Sequence, residues 1–168
     1  IDQKFKLDHD QFFAFNSNKK RSGCVVHRPD GSIRIFVKGA SEWIMKDCTQ
    51  QTDATGKAVA LSEADKAPIN DHIEDMAKQA LRTLALAHVD FPNEAAMGEW
   101  REDPPDSANL ILDCIVGIID PLRGDVKEAV ATAQRAGVVV RMVTGDNIGT
   151  ATTIAKECGI LNDEIGRA

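Results

Sequence analysis

No stretch of about 20 apolar residues occurs in this chain. The longest apolar run, Leu110 to Ile119, is interrupted by Asp113, so no segment reads as a membrane-spanning helix. Positive charge is scarce: 20 Lys and Arg against 26 Asp and Glu leave a net charge of −6. That balance argues against a general nucleic-acid binder and makes the cluster Lys19-Lys20-Arg21 a local feature. The four cysteines (Cys24, Cys48, Cys114, Cys158) include no C-x-x-C pair, and the four histidines (His9, His27, His72, His88) show no ligand spacing. Sequence patterns for a metal site are therefore lacking. Cys24, Cys114 and Cys158 fall in apolar patterns and are expected to be buried free thiols, which suits a reducing compartment. The histidines are expected at the surface or its rim. The opening Ile1-Asp2-Gln3-Lys4 is not the basic n-region of a signal peptide, and no internal repeat or low-complexity tract is visible.

What is present is enough apolar residue, 43% of 168, to build a core for one domain, or one domain and part of another. Phe12-Phe13-Ala14-Phe15 and Gly23 to His27 read as strands flanking the basic turn. Arg28-Pro29-Asp30-Gly31-Ser32 is a hairpin signal, and Ile33 to Val37 alternates before stopping at Gly39. Ser41 is placed to cap a helix running to about Cys48. Thr49 to Ala60 reads as a surface loop or short hairpin. Ser62 is placed to cap a helix over 63–80, with Pro68 near its start and Ile69, Ile73, Met76, Ala77 and Ala80 inward. Thr83 to Val89 reads as a strand, and Pro92 to Ser107 as loop with a short helical stretch from Glu94 to Trp100.

The segment from 110 onward has a different rhythm. An apolar run ends at Ile118-Ile119-Asp120-Pro121-Leu122-Arg123, a helical pattern runs from Gly124 to Ala136, and Gly137 sits at the C-cap position. The β-branched run Val138 to Val143 then ends in Thr144-Gly145-Asp146-Asn147, ahead of a helix with Ile148, Ala151, Ile154, Ala155 and Cys158 on one face. This is the pattern of a βαβ unit. A polar turn between strand and helix places backbone N–H groups where α/β sheets bind ligands, and suits a phosphate.

Several of these stretches, in order, resemble the cytoplasmic region of P-type ATPases. Lys38-Gly39-Ala40-Ser41-Glu42 is similar to the family's KGA(P/S)E signature, and Leu81-Arg82-Thr83-Leu84-Ala85-Leu86-Ala87 to its LR-x-LALA segment. Phe15-Asn16-Ser17 with Lys19-Lys20-Arg21 resembles the strand that stacks on adenine. DPLRGDVKEAV, RAGVVVRMVTGDN and IAKECGIL resemble the core of the phosphorylation domain. The combination VRMVTGDNI with CGIL looks most like the plasma-membrane branch of the calcium pumps.

The resemblance implies an α+β architecture. Residues 1–112 would be the later portion of an antiparallel nucleotide-binding domain with flanking helices. Residues 113–168 would be a partial, Rossmann-like phosphorylation domain. It implies ATP and Mg²⁺ as cofactors, and a chain that is a cytoplasmic piece of a larger membrane pump whose membrane and actuator regions are its partners. Phe15 would stack on adenine, a contact worth roughly 1–3 kcal/mol. Lys20, Lys38 and Arg82 would meet the nucleotide with cationic donors, and Gly39 would let the backbone approach the base. Thr144, Gly145 and Asp146 would serve the transferring phosphoryl group, and Asp120 and Arg123 would face the nucleotide. The family's DKTGT and TGDGVND loops do not occur in these residues, so the chain is expected to bind ATP without accepting phosphate. The run Val138 to Val143, with no partner strand in this chain, is expected to pair with a second copy or fold back. Another cation pump, a haloacid-dehalogenase-like phosphatase fragment and a ligand-free interaction domain are the alternatives at this level.

Overall fold

The structure is a computed structural model describing residues 10–102 and 109–161. It forms two compact units. The first takes the residues up to Ile69 and Leu84–Val116; the second takes Asn70–Thr83 and the residues from Gly117 onward.

Most of a seven-stranded sheet lies in the first unit. Its strands are β1 (Gln11–Asn16), β2 (Arg21–His27), β3 (Ile33–Ala40), β4 (Cys48–Thr52), β5 (Ala58–Ala60), β6 (Leu81–Phe91) and β7 (Leu110–Ile119). The spatial order is β1-β2-β3-β6-β7-β4-β5. The pairs β1–β2, β2–β3, β3–β6 and β4–β5 are antiparallel, while β4 runs parallel to β7. The fold is thus a mixed α+β one with a mostly antiparallel sheet, as the sequence implied.

Local chemistry explains most of these boundaries. Gly31 takes φ +84°, the left-handed conformation the hairpin needs, and Asp30 accepts bonds from the Ser32 amide and hydroxyl at 2.9 and 2.6 Å. β3 then alternates, with Ile33, Ile35 and Val37 buried and Arg34, Phe36 and Lys38 on the other face. Val25, Ala85, Ala87, Leu110 and Leu112 are buried too, as are Ile44 and Met45 of α1 (Ser41–Asp47). Each fully buried Ile, Leu or Val contributes roughly 1.5–3 kcal/mol.

Ser41 is not the cap of α1. Ala40 holds that position with no side-chain cap bond, and Ser41 is the first helical residue, fully buried. Its hydroxyl has no hydrogen-bond partner among the described residues. Ser62, by contrast, does cap α2 (Glu63–Lys78): Asp65 N–H donates to its hydroxyl at 3.3 Å, and Asp65 accepts from the Ser62 amide in return. Pro68 lies inside this helix instead of starting it.

The second unit contains α3 (Val126–Arg135) and α4 (Ile148–Glu157). Gly137 (φ +79°) ends α3 as expected, with its N–H bonded to Gln134 O and Val138 N–H to Ala133 O. The expected strand over Val138 to Val143 is absent: no ladder involves these residues, and Val138, Val139 and Val143 are 55%, 77% and 97% exposed. No βαβ unit therefore forms among the described residues. A β-branched run supplies propensity, but a strand exists only where another backbone satisfies its N–H and C=O groups. The inner face of α4 also differs from the expected one. Thr150, Ala151, Ala155 and Cys158 are buried, whereas Ile148 is 81% exposed. Hydroxyls decide that rotation: Thr150 donates to Leu81 O at 3.0 Å and Thr153 lies 3.5 Å from Ala77 O.

All four cysteines are free, but Cys114 is exposed and Cys24 only half-buried, with Cys48 and Cys158 in the core. His88 departs from the expected rim position and is buried.

Candidate functional site

The candidate residues fall into one set per unit. In the first unit, Phe15 lies near the end of β1 and is 60% exposed, so it is not a core phenylalanine. The register around it contains a slip. Phe12 pairs with Cys24 and Phe13 with Gly23, but the next pair is Asn16 with Arg21. Three steps on β1 thus match two on β2, the signature of a bulge. Because paired residues share a face, the slip puts Phe15 on the same face as Phe12, Ser22 and Cys24. Ser22 in turn pairs with Lys38, and Lys38 with Leu86. Without the extra residue, Phe12 and Phe15, three apart, would point to opposite faces.

Lys20 closes the β1–β2 turn with φ +54°, a left-handed conformation that costs a residue with a side chain about 1 kcal/mol or more. Its carbonyl accepts the Ala40 amide at 3.1 Å. Gly39 pairs with the next residue, Arg21. A Cβ there would overlap the Lys20 carbonyl oxygen and lie 2.9 Å from Arg21 Cβ. The close backbone approach that Gly39 allows in this structure is thus to its own neighbouring strand. Arg21 is anchored to Asp47 at 2.9 Å.

The open face of this sheet carries a pocket of about 340 Å³, within the range of small-molecule sites. Its walls include Phe12, Phe36, Lys38, Leu86, Cys24 and Asp113. Lys38, one of its lining residues, is exposed. At its margin His88 Nδ1 lies 2.9 and 2.8 Å from the two oxygens of Asp113, and the Thr52 hydroxyl donates to Asp113 Oδ1 at 2.9 Å. The Phe36 ring is 6.5 Å from His88 and carries the Arg34 guanidinium at 5.7 Å.

Sequence reasoning missed Phe12, Phe36, His88 and Asp113. A signal existed for two of them. Phe36 is the outward residue of an alternating strand, and Asp113 is the single charge in the apolar run that became β7.

In the second unit the structure brings four of the expected residues together. Arg82 Nη2 binds Asp146 Oδ2 at 2.9 Å and Arg82 Nη1 binds Asp120 Oδ2 at 3.1 Å. Thr144 donates from its hydroxyl to the same Asp146 oxygen at 2.8 Å, and Asp146 N–H donates back to Thr144 Oγ1 at 3.1 Å. The hydrogen bond that Arg82 donates to Asp146, with both nearby carboxylates, raises the Arg82 pKa further. Asn147 caps α4 by accepting the Gly149 amide at 2.7 Å, which turns the loop Thr144–Asn147 into the helix. Gly145 and Arg123 are exposed. The Arg123 carbonyl accepts the Val126 amide at 3.1 Å.

The chain is similar in sequence to known proteins. The family profile described as P-type ATPase, cytoplasmic domain N, matches residues 2–125. The plasma membrane-type calcium-transporting ATPases 4 and 10 of Arabidopsis thaliana are each 48% identical to the chain, over 149 and 157 residues. These alignments cover 89% and 90% of the chain and 14% of each relative. Plasma membrane calcium-transporting ATPase 1 of Mus musculus is 46% identical over 151 residues, covering 89% of the chain and 12% of that protein. The chain therefore spans about one-eighth to one-seventh of the length of these relatives.

Proposed function

The chain belongs to the P-type ATPases, in their cytoplasmic domain N, and from that premise we propose that it recognises ATP for a calcium-translocating pump of the plasma-membrane type. The transported ion and the membrane come from the names of relatives that are 46–48% identical. The family match favours a pump over a dehalogenase-like phosphatase. The observation that carries ATP recognition is the 340 Å³ pocket with two aromatic walls and Lys38, on the sheet face to which the β1 bulge assigns Phe15.

The chemistry fits an adenine nucleotide. Aromatic walls take the flat base by stacking, and the Lys38 ammonium gives a charge-assisted bond to a phosphate oxygen. Lys20 offers a second ammonium from the adjoining turn. Among the described residues no three His, Cys, Asp or Glu side chains converge on a metal, so Mg²⁺ would enter on the polyphosphate. In the second unit, Thr144, Asp146, Asp120 and Arg82 form the polar cluster we assign to phosphoryl transfer in the whole pump. No DKTGT sequence occurs in the 168 residues. The phosphate-accepting aspartate is therefore assigned to another part of the pump, and this chain to nucleotide recognition.

Calorimetric or NMR titration with ATP and GTP tests the reading. A saturable response to ATP near the millimolar range, about −4 kcal/mol, is the expected result, with GTP weaker. Phe15→Ala should weaken ATP binding while costing no more than about 0.5 kcal/mol of stability, since the ring is exposed. Absence of any saturable ATP response at 10-millimolar scale would refute the assignment.

A further inference from the structure

We propose that Thr150 is a positioning residue, whose buried hydroxyl ties the start of β6 to α4 and so keeps the Arg82 guanidinium on Asp146 and Asp120. The proposal rests on the assignment of the Arg82–Asp146 cluster to phosphoryl transfer. Leu81, Arg82, Asp120, Asp146 and Thr150 all lie in the second unit.

The three threonines of α4 use their hydroxyls differently. Thr152 and Thr153 donate to carbonyls of their own helix, Ile148 O at 2.7 Å and Gly149 O at 3.1 Å. That is the ordinary use of a hydroxyl inside a helix. Thr150 instead donates to Leu81 O at 3.0 Å, across 69 residues of chain, and is 2% exposed. The carbonyl it takes belongs to the residue next to Arg82. The ladder between β3 and β6 begins only at Ala40 with Leu84, so Leu81, Arg82 and Thr83 run beyond β3.

Adjacent residues are thus gripped by one short stretch of chain. Thr150 holds the Leu81 backbone, and Asp146, four positions earlier, holds the Arg82 side chain at 2.9 Å. Thr144 fixes Asp146 in turn at 2.8 Å. Gly149 lets α4 come close enough for this: a Cβ there would lie 3.1 Å from Asn147 Oδ1 and 3.4 Å from Ala77 Cβ. The Arg82 side chain is 47% exposed, so burial does not hold it in place. An arginine loses many rotamers on being fixed, and an anchored backbone beside it leaves fewer ways to depart from the two carboxylates.

The test is the rate at which the Arg82 guanidinium rotates about its Cζ–Nε bond, read by nitrogen-15 NMR in the whole chain. Asp146→Asn supplies the reference for a released guanidinium. Thr150→Val, which keeps the shape and loses the donor, should rotate about fivefold faster than wild type, the factor of one ordinary hydrogen bond. Thr150→Ala, which adds no buried methyl, should match it, and Thr150→Ser should restore the wild-type rate. Thr153→Val removes a hydroxyl that faces Ala77 O and Lys78 O instead of Leu81 O, and should leave the rate unchanged. Mg²⁺ tripolyphosphate, which carries phosphates without a base, should shift the Arg82 signals of wild type at millimolar concentration, and Thr150→Val should need about fivefold more. A merely structural Thr150 would lower the melting temperature and leave the rotation rate at its wild-type value. That result would overturn the proposal and leave the cluster assignment standing, as would equal acceleration in Thr153→Val. No response of wild-type Arg82 to tripolyphosphate would overturn the cluster assignment, and with it this role for Thr150.

Discussion

Gly39→Ala is expected to destabilise the chain by about 3–3.5 kcal/mol. The new Cβ would overlap the Lys20 carbonyl oxygen and approach Arg21 Cβ and Cα to 2.9 and 3.0 Å. The oxygen and Cα are backbone atoms and Cβ is fixed to them, so nothing can swing aside. Relief requires β2 and β3 to separate where Arg21 pairs with Gly39. That movement stretches the 3.1 Å bond from the Ala40 amide to Lys20 O. Overpacking of this kind costs about 1–3 kcal/mol, and the upper end applies because the obstacle is backbone. A weakened hydrogen bond adds about 1 kcal/mol. The loss of unfolded-state entropy on replacing glycine returns about 0.4–1 kcal/mol. Urea denaturation followed by circular dichroism measures the sum. Gly124→Ala is the internal control, since a Cβ there meets nothing within 4 Å; it should be neutral within about 0.5 kcal/mol. A Gly39→Ala variant as stable as the control would refute the argument that this glycine holds the hairpin closed.

Two further outcomes follow from the chemistry of particular side chains. Burial pushes the Cys48 thiol up to about 12, whereas Cys114 is exposed. Iodoacetamide at about pH 8 should therefore modify Cys114 well before Cys48, which should react only after denaturation; equal rates in the native chain would contradict the packing of β4. The Arg34 fork, with bonds of 2.7 Å to each Asp90 oxygen, holds that carboxyl below its ordinary pKa. A lowered folded pKa means that the pair's stabilisation is complete above the ordinary carboxylate value near 4 and is lost as pH falls through the lowered one. The pair is partly exposed, so its contribution should stay under about 1 kcal/mol. Asp90→Asn should flatten that part of the acid limb in denaturation curves taken from about pH 6 to 2. An acid limb identical to wild type would show that the pair adds nothing.

The sequence by itself determined the features whose causes lie within a few residues. Asp30-Gly31 made the hairpin, Ser62 with Asp65 capped α2, Gly137 ended α3, and alternation in Ile33 to Val37 assigned its inward side. Each depends on one backbone conformation or one short-range bond, so the residue types carry the information. The order of the KGASE, LRTLALA and TGDN stretches carried the family in the same way. Tertiary structure decided the rest. Val138 to Val143 has strong strand propensity and is not a strand, because no neighbouring backbone pairs with it. Ser41 looked like a cap and is a buried first-turn residue. The outcome for Phe15 turned on one slipped register pair, Asn16 with Arg21. The pocket joins residues from β1, β2, β3, β6 and β7, and His88 meets Asp113 across 25 residues of chain. Such partners are set by which strands become neighbours and in what register, and that choice is made by the whole sheet at once, through backbone pairing that no single segment encodes.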